Sequence, residues 1–421
     1  KPMGKRILVI LPSTTYRAGM FVEAARRLGV ELIIGTDHQQ AWGELLSGTV
    51  VVFPFYDFAI ARQKVASLHE EKPLDAIIGV DDHTAWLAAH LSEHLHLPSN
   101  PETATQYTRF KHLMRQALLR NGVLQPRYTL FNVDDNPRII ADIITYPVVL
   151  KPVFLSASQG VTRVDGPEDF EPAFQRIRAL VHRRDYPRRG GRYYKYLLVE
   201  QYIDGEEVAV EGIITNGEVR ILAVFDKPDP LVGPYFQETI YVTPSRHPAA
   251  TLQFIQDETR RAVRALGLQR GPFHAELRIN HQGVWVIEVA SRSIGGLCSQ
   301  VLRFGNGQSL EEVLIREALG DDVTAVKRED QAAGVMMMPV PRSGRFLQVR
   351  GAEAARMVPG VESVHITIAP DSDVLALPEG NQYLGFIFAR GKTPEAVEQA
   401  LRTAYRFIQV EIDTGERIEH I

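Results

Sequence analysis

The feature that most constrains this chain is a change of rhythm near residue 148. Upstream of it, short apolar runs alternate with helical patterns; downstream, paired strand patterns and hairpin turns take over. Residues 7–11 form a continuous apolar run of buried-strand type, followed by the polar turn Ser13-Thr14-Thr15. A helix pattern comes next, with Met20, Ala24, Ala25 and Leu28 on one face and Gly29 as its stop. Further strand patterns lie at 30–34, 50–53 and 76–80, with a helix over 86–95 before Pro98. Strands joined through helices predict a parallel sheet covered on both faces. The first turn lacks Gly-x-Gly-x-x-Gly spacing, which argues against a dinucleotide site there.

Beyond the change, runs at 208–214 and 219–224 flank Asn216-Gly217, a strong hairpin signal. The basic stretch 182–192 reads as a solvated loop, with a phosphate-contacting lid as the alternative. Near the end, Thr393 and Pro394 start a helix whose apolar stripe is Val397, Leu401, Ala404 and Ile408. At 421 residues the chain exceeds what one core can serve. The expected division is an N-terminal α/β domain at 1–105, a central domain at 106–325 and a separate C-terminal α+β domain at 326–421. Within the central domain a small lid is placed at about 148–226.

Composition removes several function classes. A formal net charge of −4 argues against wholesale binding to nucleic acid or anionic membrane. The lone cysteine, Cys298, rules out a disulfide framework and a thiolate metal cluster, and reads as a small core residue. Its isolation suits a reducing compartment, so the expected location is cytoplasmic. Residues 1–4 read as a processed or tagged end, with no signal peptide and no apolar run of membrane-spanning length. The 13 histidines are scattered without metal-ligand spacing.

The chemistry-bearing residues fall in four places. First, 274–279 and 284–290 both alternate apolar and polar residues. A three-residue loop ending in a left-handed Gly283 would set Glu276 directly opposite Glu288 on one sheet face. Two like charges in that relation call for a cation between them, and paired carboxylates are suitable Mg²⁺ ligands. A salt-bridged surface pair with Arg278 or Arg292 is the alternative. Second, Lys151 precedes the small-residue loop Ser156-Ala157-Ser158-Gln159-Gly160-Val161. Small residues let backbone N–H groups approach phosphate oxygens, and lysine supplies a compact charge, although such a loop also serves as a plain turn. Third, Lys111 sits on a helix expected over 109–120, where a solvated lysine is the plainer reading. Fourth, an apolar strand at 197–203 enters the acidic bend Asp204-Gly205-Glu206-Glu207. Such a bend suits adenine held by backbone groups and ribose held by a carboxylate, or an ordinary strand end.

Taken in order, these segments resemble the ATP-grasp superfamily over most of the chain. The lead-in Val80-Asp81-Asp82, His96-Leu97-Pro98-Ser99-Asn100, Lys111-x-x-x-Arg115 and Asn121-Gly122-Val123 adds to the likeness. The resemblance implies an α/β fold with an N-terminal parallel-sheet domain, a two-part ATP-binding domain and a C-terminal α+β module. It implies that Lys111 and Lys151 meet nucleotide phosphates, that Ser156, Ser158, Gln159 and Gly160 belong to a mobile phosphate-covering loop, and that Glu200, Gln201, Tyr202 and Ile203 form the adenine hinge. Glu207 becomes the ribose carboxylate, Glu276 and Glu288 the Mg²⁺ ligands (Mn²⁺ as substitute), and Arg292 the group that steadies the reacting phosphoryl and carboxyl groups. Many relatives carry asparagine where this chain has Ala290, so water, Ser291 or substrate would complete the metal shell.

The run Glu-Val-Ala-Ser-Arg-Ser-Ile-Gly-Gly and the segments 334–341 and 383–389 resemble the L-amino-acid ligases that make dipeptides. That likeness implies ATP-driven joining of a carboxylate to an amine through an acyl phosphate, releasing ADP. It also places Gly295 and Gly296 at the acyl-donor pocket and Glu238 beside a donor ammonium, where a tight turn and a solvated loop carboxylate are the plainer readings. Small-molecule amino acids are the expected partners, with neither nucleic acid nor membrane; a homodimer is common in the family. The rival readings are a ligase for a purine or natural-product amine and an ATP-binding regulatory module without turnover.

Overall fold

The computed structural model describes residues 4–15, 17–38 and 49–415, so residues 1–3 of the expected processed end lie outside the described part. The N-terminal strands run parallel in the order Thr49–Val52, Glu31–Thr36, Arg6–Ile10, Ala76–Gly79. Every residue of Arg6–Ile10 is buried because the period of two feeds two cores. Ile7 and Val9 pack with Phe21 and Ala24 of the helix Ala18–Leu28, whereas Leu8 and Ile10 pack with Ala61 and Val65 of Phe58–Glu71. Gly29 ends the first helix at φ 66°, a left-handed cap that favours glycine. Among the described residues, no helix is long and apolar enough to cross a membrane.

A small antiparallel sheet follows, ordered Tyr128–Asn132, Tyr196–Gln201, Val148–Pro152, Thr162–Val164. It is backed by the helix Pro167–Val181, which buries Phe170, Phe174 and Ile177. The lid expected over 148–226 is therefore drawn differently. Its sheet begins at Tyr128 and ends at Gln201, while Glu206–Thr215 and Glu218–Asp226 pair into the central sheet. Their turn is as the sequence predicts, with Asn216 at φ 51° and Gly217 at φ 73°.

The central sheet has eight strands, running from Gly283–Ala290 and Gly271–Asn280 on one edge, through Ile240–Thr243, to Ala332–Pro339, Tyr383–Gly391 and Val361–Ile366. The C-terminal part is thus not a separate sheet: Ala332–Pro339 pairs directly with Ile240–Thr243. A three-stranded sheet and the helix Pro394–Arg406 complete it, the helix capped by Thr393 and burying Val397, Leu401 and Ala404. Ile408 lies half-buried just past the helix end.

Two local expectations change. The helix expected over 109–120 is Lys111–Arg120, starting two residues late because an extended Phe110 separates it from the preceding helix Glu102–Arg109. The stretch expected as a solvated loop, 182–192, carries the short helix Tyr186–Gly190. It is tied in by two side chains: the Tyr186 hydroxyl accepts from Gln159 at 2.6 Å, and Arg188 lies over the Tyr56 ring.

Candidate active site

The three sheets enclose a cavity of about 440 Å³. Loops at the carboxyl ends of the N-terminal strands form one wall, where open α/β sheets offer ligand crevices. Lid strands, the hairpin 271–290 and the start of Tyr383–Gly391 form the others.

The hairpin aligns Glu276 with Glu288, but by another route than the one expected. Asn280 pairs with Gly283, so the turn has two residues, and a bulge between 276 and 277 restores the register. Each carboxylate has its own lysine: Glu288 accepts from Lys111 at 2.9 Å and Glu276 from Lys227 at 3.1 Å. The surface salt bridges offered as an alternative are absent, because Arg278 pairs with Glu207 at 2.8 Å and Arg292 with Asp82 at 3.2 Å.

Lys227 is the centre of a cluster that sequence reasoning missed. Its ammonium lies 2.7 Å from Glu207 and 2.7 Å from Glu238, and three carboxylates converge on it. One oxygen from each of Glu207, Glu238 and Glu276 falls within 4.8 Å of the others. Burial works against the Lys227 charge, yet the carboxylates outweigh it and hold its pKa well above the usual lysine range. The three are not equivalent. Glu207 has a second cation in Arg278, and Glu276 has His274 at 3.7 Å. Glu238 has only the Tyr241 hydroxyl, at 2.8 Å. Burial accordingly raises the Glu238 pKa, while Lys227 and His274 overcome burial and hold Glu276 well below its ordinary value. Glu238 is therefore not a fully solvated loop carboxylate; it is a half-buried carboxylate that shares its lysine with two others. His274 pairs with Glu211, and although burial disfavours its charge, Glu211 raises it to about 9. The sequence signal for His274 was available, since it precedes Glu276 by two in one strand; Lys227 gave none.

Lys151 faces the cavity and pairs with Glu200 at 2.8 Å. Glu200 also takes Arg115 at 2.7 Å and is 2% exposed; burial would raise its pKa, but the two cations bring it to about 2. Ser156, Ala157 and Ser158 border the cavity, with Ala157 and Ser158 at positive φ. Gln159 and Gly160 depart from expectation. They do not line it, because Gln159 is buried against Tyr186 and the Glu379 carbonyl, and the Gly160 N–H donates to the Pro378 carbonyl at 2.7 Å. Gln201, Tyr202 and Ile203 line the cavity, with Tyr202 and Phe236 stacked at 6.4 Å. Both oxygens of Glu207 are engaged, by Lys227 and Arg278. Ser291 bonds Thr108 at 2.8 Å and does not line this cavity, which removes it as a further ligand in this arrangement.

Arg292, Gly295 and Gly296 line the cavity together. A side chain at Gly295 would meet nothing within 4 Å, whereas Gly296 is at φ 58° with the Phe386 ring 3.0 Å from where a Cβ would stand. The neighbouring wall is apolar, built from Cys298, Met337, Tyr383 and Phe386. Burial raises the Cys298 thiol far above its ordinary pKa, which makes it a core residue.

Family models match three stretches: an ATP-grasp N-terminal domain at 22–99, an ATP-grasp domain at 144–301 and an L-amino acid ligase C-terminal domain 2 at 336–413. The chain is similar to dapdiamide A synthase of Enterobacter agglomerans, 26% identical over 78% of either chain. It is 27% identical to the alanine–anticapsin ligase of Bacillus subtilis (strain 168) over 49% of this chain, a match spanning 46% of that enzyme. The crystal structure of an L-amino acid ligase from Bacillus licheniformis superposes with a TM-score of 0.85 at 26% identity, covering 98% of this chain and 100% of that one. The chain carries ATP-grasp domains at 22–99 and 144–301 and, with its C-terminal match, resembles the L-amino-acid ligases.

Proposed function

We propose that this protein joins the carboxyl group of one amino acid to the amine of another, forming ADP and phosphate by way of an acyl phosphate. The observation that carries the reading is Glu238, a half-buried carboxylate that shares Lys227 with Glu207 and Glu276, beside an apolar wall and the open space at Gly295. A free amino acid suits that place, with an ammonium as a second cation for the three carboxylates and a side chain for the wall formed by Met337, Tyr383 and Phe386.

The rest of the cavity supports activation of that amino acid. Lys111 and Lys151 are suited to triphosphate oxygens, and Tyr202 and Phe236 offer flat surfaces for a nucleobase near Gln201 and Ile203. Glu276 and Glu288, aligned across two strands, make an oxygen-only donor set that fits Mg²⁺. When bound, Mg²⁺ neutralises phosphate charge and so lowers the barrier to attack on the γ-phosphorus. An oxygen of the donor carboxylate attacks that phosphorus, the bond to ADP breaks, and ADP leaves. The neutral amine of the acceptor then attacks the acyl carbon; phosphate departs with the former carboxylate oxygen, and the amine proton passes to solvent. Arg292 faces the same space and stabilises the oxyanion between those steps.

The test is nucleotide and phosphate release over a matrix of amino-acid pairs, with Glu288→Gln as the inactive control. ADP that appears only when donor and acceptor are both present supports the reading, and a bulky apolar donor is expected to rank first. AMP with pyrophosphate, or turnover only with non-amino-acid amines, refutes it. Gly295→Trp is expected to shift preference toward glycine or alanine, since even one methylene in such a pocket is worth about 1–3 kcal/mol.

A further inference from the structure

The loop 291–296, which carries Arg292, is held from three sides, at the Ser291 and Ser293 hydroxyls and the Ile294 backbone. Thr108 holds Ser291; Arg17, itself paired with Glu311 at 2.9 Å, donates to Ser293 Oγ at 2.7 Å and to the Ile294 carbonyl at 3.3 Å. Glu211 accepts the Ile294 N–H at 3.1 Å. None of these contacts reaches the Arg292 guanidinium. That group turns to Asp82, with Nε 3.2 Å from Oδ1 and Nη2 3.4 Å from Oδ2, while Nη1 donates to the Ser293 carbonyl at 3.1 Å. Of the two contacts with Asp82 only Nη2 to Oδ2 is a hydrogen bond and Nε to Oδ1 is an ion-pair contact, so the carboxylate holds the guanidinium by charge and one donor while the Ser293 carbonyl takes another.

Asp82 comes from a different domain layer. The strand Ala76–Gly79 of the N-terminal sheet ends there, and Asp81 caps the helix Asp82–His94 through the Thr84 N–H at 2.7 Å. The turn is tight: a Cβ on Gly79 would stand 2.1 Å from the Thr84 carbonyl, so the backbone leaves Asp82 little freedom. Arg292 lines the cavity, whereas Asp82 does not, so Asp82 meets the arginine from outside the substrate space.

We infer that Asp82 is a positioning residue, fixing the Arg292 guanidinium so that it faces the reacting phosphoryl and carboxyl groups. The N-terminal sheet thereby takes part in chemistry carried on the central sheet. This inference rests on the ligase reading of Arg292, and the loop's own anchors show that Asp82 is not needed to hold its backbone.

A double-mutant cycle on the full chain tests it, using Asp82→Asn, Arg292→Lys and the pair. The readouts are ADP formation in single-turnover and steady-state modes, ADP affinity by calorimetry, and Tm. Misplacing a catalytic group is expected to lower kcat about 10- to 100-fold in Asp82→Asn, with the KM for ATP and the ADP affinity within about twofold. In the Arg292→Lys background, Asp82→Asn should change little further, because its effect runs through that guanidinium. Asp82→Glu, which keeps the charge, should recover part of the rate. The inference is overturned if kcat in Asp82→Asn stays near wild type, or if the two losses simply multiply. A lowered Tm with unchanged kcat per folded molecule also overturns it, assigning Asp82 to the helix start alone. Wild type that forms no ADP with any amino-acid pair would instead defeat the ligase reading.

Discussion

Glu200, expected at the ligand, lines the cavity and also ties the fold together. Its carboxylate lies between Arg115 and Lys151, and Arg115 also donates to the Ile287 carbonyl at 2.6 Å. The lid strand Tyr196–Gln201, the helix Lys111–Arg120 and the hairpin 271–290 are thereby tied together. Glu200→Gln leaves a buried guanidinium without its carboxylate and is expected to cost about 3–5 kcal/mol in urea unfolding at pH 7. The sign with pH follows from the depressed pKa: the contribution is full above the ordinary 4.5 and is lost as pH falls toward about 2. The variant should therefore show a shallower loss of stability over that window. Equal stability of variant and wild type at pH 7 would mean that Glu200 does not hold these elements together. At this scale the grouping was legible, because Lys111, Lys151, Glu276, Glu288 and Arg292 all reach one cavity. Their partners were not. Lys227 is adjacent in sequence to Asp226 but pairs with Glu207, Glu238 and Glu276, and only folding brings those charges together.

The loop 156–160 divides its residues between two tasks. Ser156 and Ser158 border the cavity, while Gln159 and Gly160 hold the segment 376–382, whose Asn381 and Gln382 also border the cavity. The loop is anchored at one end and open at the other. Gln159→Ala removes the side-chain anchor without touching the cavity wall, so amide exchange over 156–161 should quicken and the KM for ATP should rise. Unchanged exchange would mean that the Gly160–Pro378 bond alone holds the loop. Composition identified this loop because small residues cluster there; it could not divide it, since the division depends on a partner more than two hundred residues away. The hairpin 271–290 teaches the same lesson. Alternation predicted the Glu276–Glu288 pairing, while turn length and bulge offset one another in a way no single-strand pattern records.

Across the whole molecule, one eight-stranded sheet joins what the sequence divides. Ala332–Pro339 covers the edge of Ile240–Thr243 and brings Met337 to the cavity, with Tyr383 and Phe386 following on the next strand. A chain ending at residue 325 would expose that strand edge and lose the apolar wall. It is expected to precipitate or associate, as read by soluble yield and light scattering. A monodisperse fragment that binds ADP would show instead that the C-terminal part is an independent module. The sequence by itself determined the parallel N-terminal layer, the Asn216-Gly217 hairpin, the Thr393-capped helix and the residue types of the site, because each rests on a period or turn rule acting over a few residues. Only the tertiary structure decided which strands share a sheet, where the lid begins and ends, and which cation neutralises which carboxylate. Those outcomes depend on long-range pairing and on burial, and neither leaves a mark on any one stretch of chain.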